Sequence, residues 1–340
     1  MNAILKVLPS VIFCFGSLIA FAQQKVTTYY DSLHQHINTS YYLLQNDSLI
    51  DGPYKKYHLN GALEAEGNFD QGNKTGLFTE YYDNGQTRRK IHYKNGLKDG
   101  PVEVYTDKGQ LLQKAQYLND TLSGMLYVYF DDGRVKNESE FKLGKPDGVV
   151  KEFYPDGQLK QEISYSQGTP NGPSKTYYED GVLKTQAMMK NGQMDGYFKT
   201  YHPNGQLDTE FENKNGTKTG EFKTYNDQGV LVLSGNYASG KLQGENLAFY
   251  DHGQARHTYN YQNGFRVGKN VQYHPNGQLM QISEFANQEA NEHRKEFDSA
   301  GHISSIKSFE NKKAVGKWEF FYPSGKTQKQ SSMKMGSSME

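Results

Sequence analysis

Thirty-two of the thirty-five glycines in this 340-residue chain fall into three columns of a single 24-residue period. The first column recurs from Gly52 to Gly316 and is interrupted only at Glu292. The second, nine residues later, has no exception: Gly61, Gly85, Gly109, Gly133, Gly157, Gly181, Gly205, Gly229, Gly253, Gly277, Gly301 and Gly325. The third runs from Gly72 to Gly336 and is interrupted at Asp120, Gln288 and Lys312. A period of this length marks an array of one small structural unit, here written twelve times. Each unit is described below by position, with the first-column residue as position 0.

Within a unit such as Gly76–Asp99, a β-rich stretch, an Asp-Asn-Gly corner, a second β-rich stretch and a Gly-flanked connector describe a hairpin plus a link. No segment keeps a helical period. The fold class expected is all-β: an elongated, twisted single-layer antiparallel sheet of about twelve hairpins, spanning residues 52–336. With 35% apolar residues and aromatics dominated by Tyr, the chain can coat a thin sheet but not fill a thick core. Pro155, Pro203, Pro275 and Pro323 stand two residues before the corner glycine, where a two-residue loop would need an N–H for the ladder. The corner therefore reads as a type I turn closed by glycine in a G1 bulge.

In that register position 5, aromatic in all twelve units, pairs with position 11, and alternation places positions 5, 11 and 17 on one face as the spine. The opposite face would carry positions 2, 6, 12 and 14, and with them a candidate partner-contact surface: Tyr82, Phe130, Tyr154, Tyr178, His202, Tyr250, His274, Tyr322 and Trp318, interspersed with Lys and Glu. The alternative is that a single-layer sheet needs aromatics on both sides to shield its own ladder.

Residues 1–22 read as a secretory signal, with Lys6, an apolar run and the Ala20-Phe21-Ala22 cleavage pattern. Localisation is then exported: periplasmic, outer-envelope associated or secreted. The one cysteine, Cys14, lies in that segment, so the mature chain has none and forms no disulfide. Residues 23–51 read as a degenerate capping repeat and 337–340 as a tail. Mature charge is near balance, 37 basic against 38 acidic residues, which argues against nucleic-acid binding.

No cofactor, metal or catalytic residue is expected. His58, His202 and His274 share position 6 but stand units apart, and Gly325-Lys326-Thr327 lacks the upstream glycine of a phosphate loop. The expected role is non-enzymatic: a binding or scaffold module whose partner is a protein or a cell-envelope polysaccharide, with no membrane span in the mature chain.

Gly76, Phe78, Tyr81-Tyr82, Asn84-Gly85 and Tyr93-Lys94-Asn95-Gly96 together resemble the MORN repeat, and more closely its bacterial variant. The resemblance implies an array of β-hairpins. Many bacterial relatives are catalogued as antitoxin components of toxin–antitoxin modules, so it also implies an alternative role, neutralising a toxin by occlusion.

Overall fold

The computed structural model describes residues 23–44 and 48–333. The expectations for the signal segment, Cys14, Gly336 and the tail lie outside the described residues. Among those described there are 29 strands and no helix, and every pairing is antiparallel. Two compact units are distinguished, one up to Thr121 and one from Leu122. In each, strands pair with their chain neighbours, so each unit is an open meander.

The N-terminal unit begins with a hairpin of Gln23–Tyr29 and Ile37–Leu44, followed by repeats such as Asn73–Tyr81 returning through Thr87–Lys94. The C-terminal unit repeats the pattern from Thr121–Tyr129 to Thr327–Met333.

The corner is the expected bulged turn in all twelve repeats. In the second, the Gly85 N–H donates to the Tyr82 carbonyl at 2.9 Å and the Tyr82 N–H donates to the Gln86 carbonyl at 2.8 Å. Gly85 has φ +81°, which other residues resist. Position 5 pairs with position 11, as in Tyr81 with Thr87.

The faces differ from the expectation, because a second register shift follows immediately. Glu80 pairs with Arg89 rather than Arg88, so one extra residue sits in the return strand. A bulge of this kind turns two successive side chains to the same side, and every later residue is exchanged between faces. Position 17 therefore leaves positions 5 and 11 and joins position 2, and position 14 joins positions 3 and 5. Ring contacts show it: Phe78 lies 5.5 Å from Phe69 and 5.3 Å from Tyr93. Position 12 remains beside positions 4 and 6, as in the Lys160–Glu152 pair at 2.7 Å.

The connector is a second true hairpin turn rather than a link. Asn95 and Gly96 have φ +51° and +81°, and Lys94 pairs with Leu97 around them. Positive φ at both central residues is what a two-residue type I′ turn demands. Asp120 and Lys312 adopt the same conformation without glycine, at φ +61° and +62°.

First-column glycine marks a third irregularity, where the ladder jumps from the pair Tyr93–Lys98 to Ile91–Val102 and Gly100 takes φ +118°. Glu292 has no positive φ because its repeat dispenses with that jump. Pairing runs unbroken from Gln281–Glu296 to Ala286–Asn291, and the two surplus residues enlarge the turn to Asn287–Ala290. Gln288 and Glu292 are thus one event: a longer loop replaces a glycine bulge.

Candidate binding surfaces

Positions 2, 15 and 17 hold most of the buried apolar side chains, including Phe78, Ile91, Val102 and Ala115 in the N-terminal unit and Phe222, Phe285 and Trp318 in the C-terminal one. At two places a large side chain faces a glycine across the row, Tyr54 opposite Gly67 and Phe222 opposite Gly235. An ideal Cβ on Gly67 would sit 2.5 Å from the Phe78 ring. Asn270, 2% exposed, occupies position 2 as a polar plug: its Oδ1 accepts from the Asn260 N–H at 2.9 Å, and its Nδ2 donates to the Gly268 carbonyl at 2.9 Å.

Trp318 stands in this row. It is 6% exposed, its ring is 5.2 Å from Phe309, and its indole N–H donates to the Ser308 carbonyl at 3.1 Å. Of the proposed contact residues it is the one placed inside, since the extra bulge carries position 17 over to meet it.

The other proposed contact residues, all at position 6, edge the same face and stitch repeats together. Tyr82, Tyr154, Tyr178 and Tyr250 donate their hydroxyls to the carbonyls of Tyr105, Tyr177, Tyr201 and Tyr273, each 23 residues ahead, at 2.8–2.9 Å. His202 and His274 reach Tyr225 and Phe297 carbonyls with Nε2 at 2.9 and 3.1 Å. Asn84, Asn204 and Asn276 add amide bonds to the next corner. Tyr322, in the last repeat, is 50% exposed. Replacing Tyr178 with Phe keeps the ring and removes one bond, so a loss of about 0.5–1.5 kcal/mol is expected in denaturant unfolding. An unchanged midpoint would mean the hydroxyl contributes nothing to joining repeats.

Lys136, Lys160 and Lys184 at position 12 hold their amines 5.8, 6.0 and 5.3 Å from the ring centres of Phe130, Tyr154 and Tyr178.

The other face carries a ladder of alternating charge at positions 3 and 14. In the C-terminal unit it runs through successive cross-strand partners Glu138, Lys151, Glu162, Lys175, Gln186, Lys199, Glu210 and Lys223. Opposite charges directly across a sheet attract, each pair contributing a few tenths of a kcal/mol. Position 5 tyrosines bond into it: Tyr177 donates to Glu162 at 3.0 Å, and in the N-terminal unit Tyr105 donates to Glu103 at 2.7 Å. Burial and that carboxylate push the Tyr105 hydroxyl up to about 12.

From Ser234 onward the two faces exchange character. The ladder becomes Leu247, Thr258, Val271, Ile282, Lys295 and Ile306. Across the sheet the central row becomes Asn246, Tyr259, Asn270, Ser283, Arg294 and Lys307.

At the enlarged turn, the polar row gathers an ion network. Arg294 binds Glu292 through Nε and Nη2, both at 2.8 Å, and Lys307 binds Glu296 at 2.6 Å. Arg266 binds Glu289 at 3.2 Å and lies 4.3 Å over Phe285. A groove of about 360 Å³ opens beside them, lined by Phe285, Phe309 and Lys312. Burial would raise the Glu292 carboxyl, but Arg294 and Ser283 hold it below its ordinary 4.5; Lys307 and Ser305 do the same for Glu296.

A carboxylate whose pKa is depressed by folding contributes stability that is complete above its unfolded value and lost as pH falls through the folded one. The last repeats should therefore loosen first on acidification below pH 4.5, the ordinary value of both groups. Trp318 is the single tryptophan and abuts Lys307, so its emission reads this region directly. Emission that changes only together with the far-UV dichroism of the whole chain would contradict the expectation.

Among the described residues no three metal-binding side chains converge. His58, His202 and His274 each bind a separate backbone carbonyl. His257 stacks on Tyr259 at 4.0 Å, and burial lowers its pKa.

Eight segments of the chain match the MORN repeat variant model: residues 50–71, 74–95, 98–119, 146–167, 170–191, 194–215, 266–287 and 314–335. No curated protein matches the chain. Solved structures that overlap it include TcdB2-TccC3, with 12% identity over 91% of this chain and 19% of that one at a TM-score of 0.18. The Tc holotoxin pore of Photorhabdus luminescens overlaps with 13% identity over 91% of this chain and 20% of that one at a TM-score of 0.17. The chain spans about a fifth of the length of these structures, and overlaps this weak carry no inference about fold or function.

Proposed function

Because the chain belongs to the MORN repeat variant family, a family of repeat binding modules, we propose that it is an exported, non-enzymatic module that holds a protein or cell-envelope polysaccharide partner on its Tyr-rich face. The observation that supports this reading is the row at position 6. The hydroxyls of Tyr154 and Tyr178 are tied to the following repeat, so these rings are held at little further entropic cost, and a lysine amine lies over one face of each and of Phe130. Rigid aromatic faces edged by cations suit a partner met over many repeats. Export rests on the pattern in residues 1–22.

The test is a pull-down from envelope fractions with the natural protein and with Tyr154, Tyr178 and Tyr250 together changed to Ser, each checked for folding by circular dichroism. Capture by the natural protein and loss of capture by a folded variant is the expected result. Equal capture by both would show that this face is not the binding surface.

A further inference from the structure

The exchange of faces after Ser234 leaves an aliphatic strip on the face that carries charges elsewhere in the C-terminal unit. We propose that this strip, centred on Val271 and Ile282, is a self-association surface on which a second copy of the chain docks face to face about a two-fold axis lying along the strands. Three observations argue for a second copy as the occupant.

The first is the loss of charge. Where the ladder elsewhere places Lys199 against Glu210, it here places Val271 against Ile282, flanked by Thr258 and Lys295 and, one strand further out, by Leu247 and Ile306, so that Lys295 is the one charge left in this stretch of the row. The principal contacts of these strands are with their neighbours in the sheet, and no other described strand covers the strip. An apolar strip of this kind marks an interaction site.

The second is self-complementarity. A two-fold axis between the Val271 and Ile282 strands sets each strand of the strip against its mirror in the order, because the pairing is symmetric about that point. Lys269 then meets the second copy's Glu284, and Glu284 meets the second copy's Lys269; within one chain these two are direct cross-strand partners. In the neighbouring row Ala255 meets Phe297 and Tyr273 meets Leu279, a small residue against a large one or two of moderate size. No like charges coincide.

The third is size. Six strands at about 4.8 Å and about five residues of strand length give a footprint on the order of 500 Å² per copy, so a pair reaches the roughly 1,000 Å² at which specific interfaces begin. Sheets of matching twist pack aligned, which is the arrangement this axis produces.

The experiment measures the mass of the purified protein by sedimentation and light scattering across the micromolar range. The natural protein should be a dimer. The double variant Val271→Thr with Ile282→Thr removes the apolar surface but keeps β-branched residues of the kind the same ladder holds at Thr258, so it should keep its dichroism and run as a monomer. Lys269→Glu, which sets like charges together, should weaken the dimer about tenfold or more, and adding Glu284→Lys should restore it. These two variants decide the question even if the double variant fails to fold. A monomeric natural protein, or a dimer indifferent to all three variants, overturns the proposal. Partner capture on the Tyr-rich face is read separately, so either reading can fail without the other.

Discussion

Replacing Phe78 with alanine is expected to destabilise the N-terminal unit by about 3–5 kcal/mol, the range for truncating a buried aromatic. Context places it toward the upper end. Phe78 is 4% exposed and packs edge-on against Phe69 and Tyr93, with the Lys74 amine 4.9 Å from the ring centre. Its ring covers Gly67, which has no side chain to move into the space. A sheet one layer thick has no second layer to collapse onto the gap. Because repeat arrays can unfold in segments, the measurement should follow the two ends separately, by hydrogen exchange of the amides around Ile91 and around Ile282. Loss of protection near Ile91 with protection near Ile282 retained is the expected pattern, and no change at Ile91 would contradict it.

Trp318→Ala carries the second large effect, again about 3–5 kcal/mol, and it separates a fold residue from a contact residue. Were this indole an exposed partner contact, its removal would leave stability nearly untouched. Buried against Phe309 and bonded to the Ser308 carbonyl, it instead closes the central row where that row would otherwise end in Lys307. The variant should lower the melting temperature of the last repeats, read by far-UV dichroism and by proteolysis at Lys313 and Lys317. A variant as protease-resistant as the natural protein would show that the indole is not structural.

Much of this architecture is legible in the residues. Four prolines before the corner glycine forced the bulged turn, and the corner hydrogen bonds follow that geometry in every repeat. The faces were less legible, because alternation was carried straight through a return strand that contains an extra residue. A single such residue exchanges every later side chain between faces, which is why Trp318 and position 17 meet. The signal for the connector was visible in Asn95-Gly96, Asn191-Gly192 and Asn215-Gly216, since Asn-Gly is the preferred type I′ pair. The coincidence of Gln288 with Glu292 was likewise visible, but its meaning needs the register: a four-residue turn makes the glycine bulge unnecessary. The exchange of charged and aliphatic ladders could be read only once positions 3 and 14 were known to be partners.

Every surface assigned here depends on that register, and engineered cysteine pairs test it most directly, the only natural cysteine being Cys14 in the leader-like segment. Lys199 and Glu210 are cross-strand partners on one face, whereas uninterrupted alternation from the corner would pair Lys199 with Thr209. Directly opposed side chains have Cβ atoms about 4.5–5.5 Å apart, close enough for a disulfide after slight adjustment, and side chains on opposite faces cannot be bridged. Under mild oxidation, with Cys14 replaced by Ser, Lys199→Cys with Glu210→Cys should cross-link within the chain while Lys199→Cys with Thr209→Cys should not. The reverse outcome would contradict the register and, with it, both proposed surfaces.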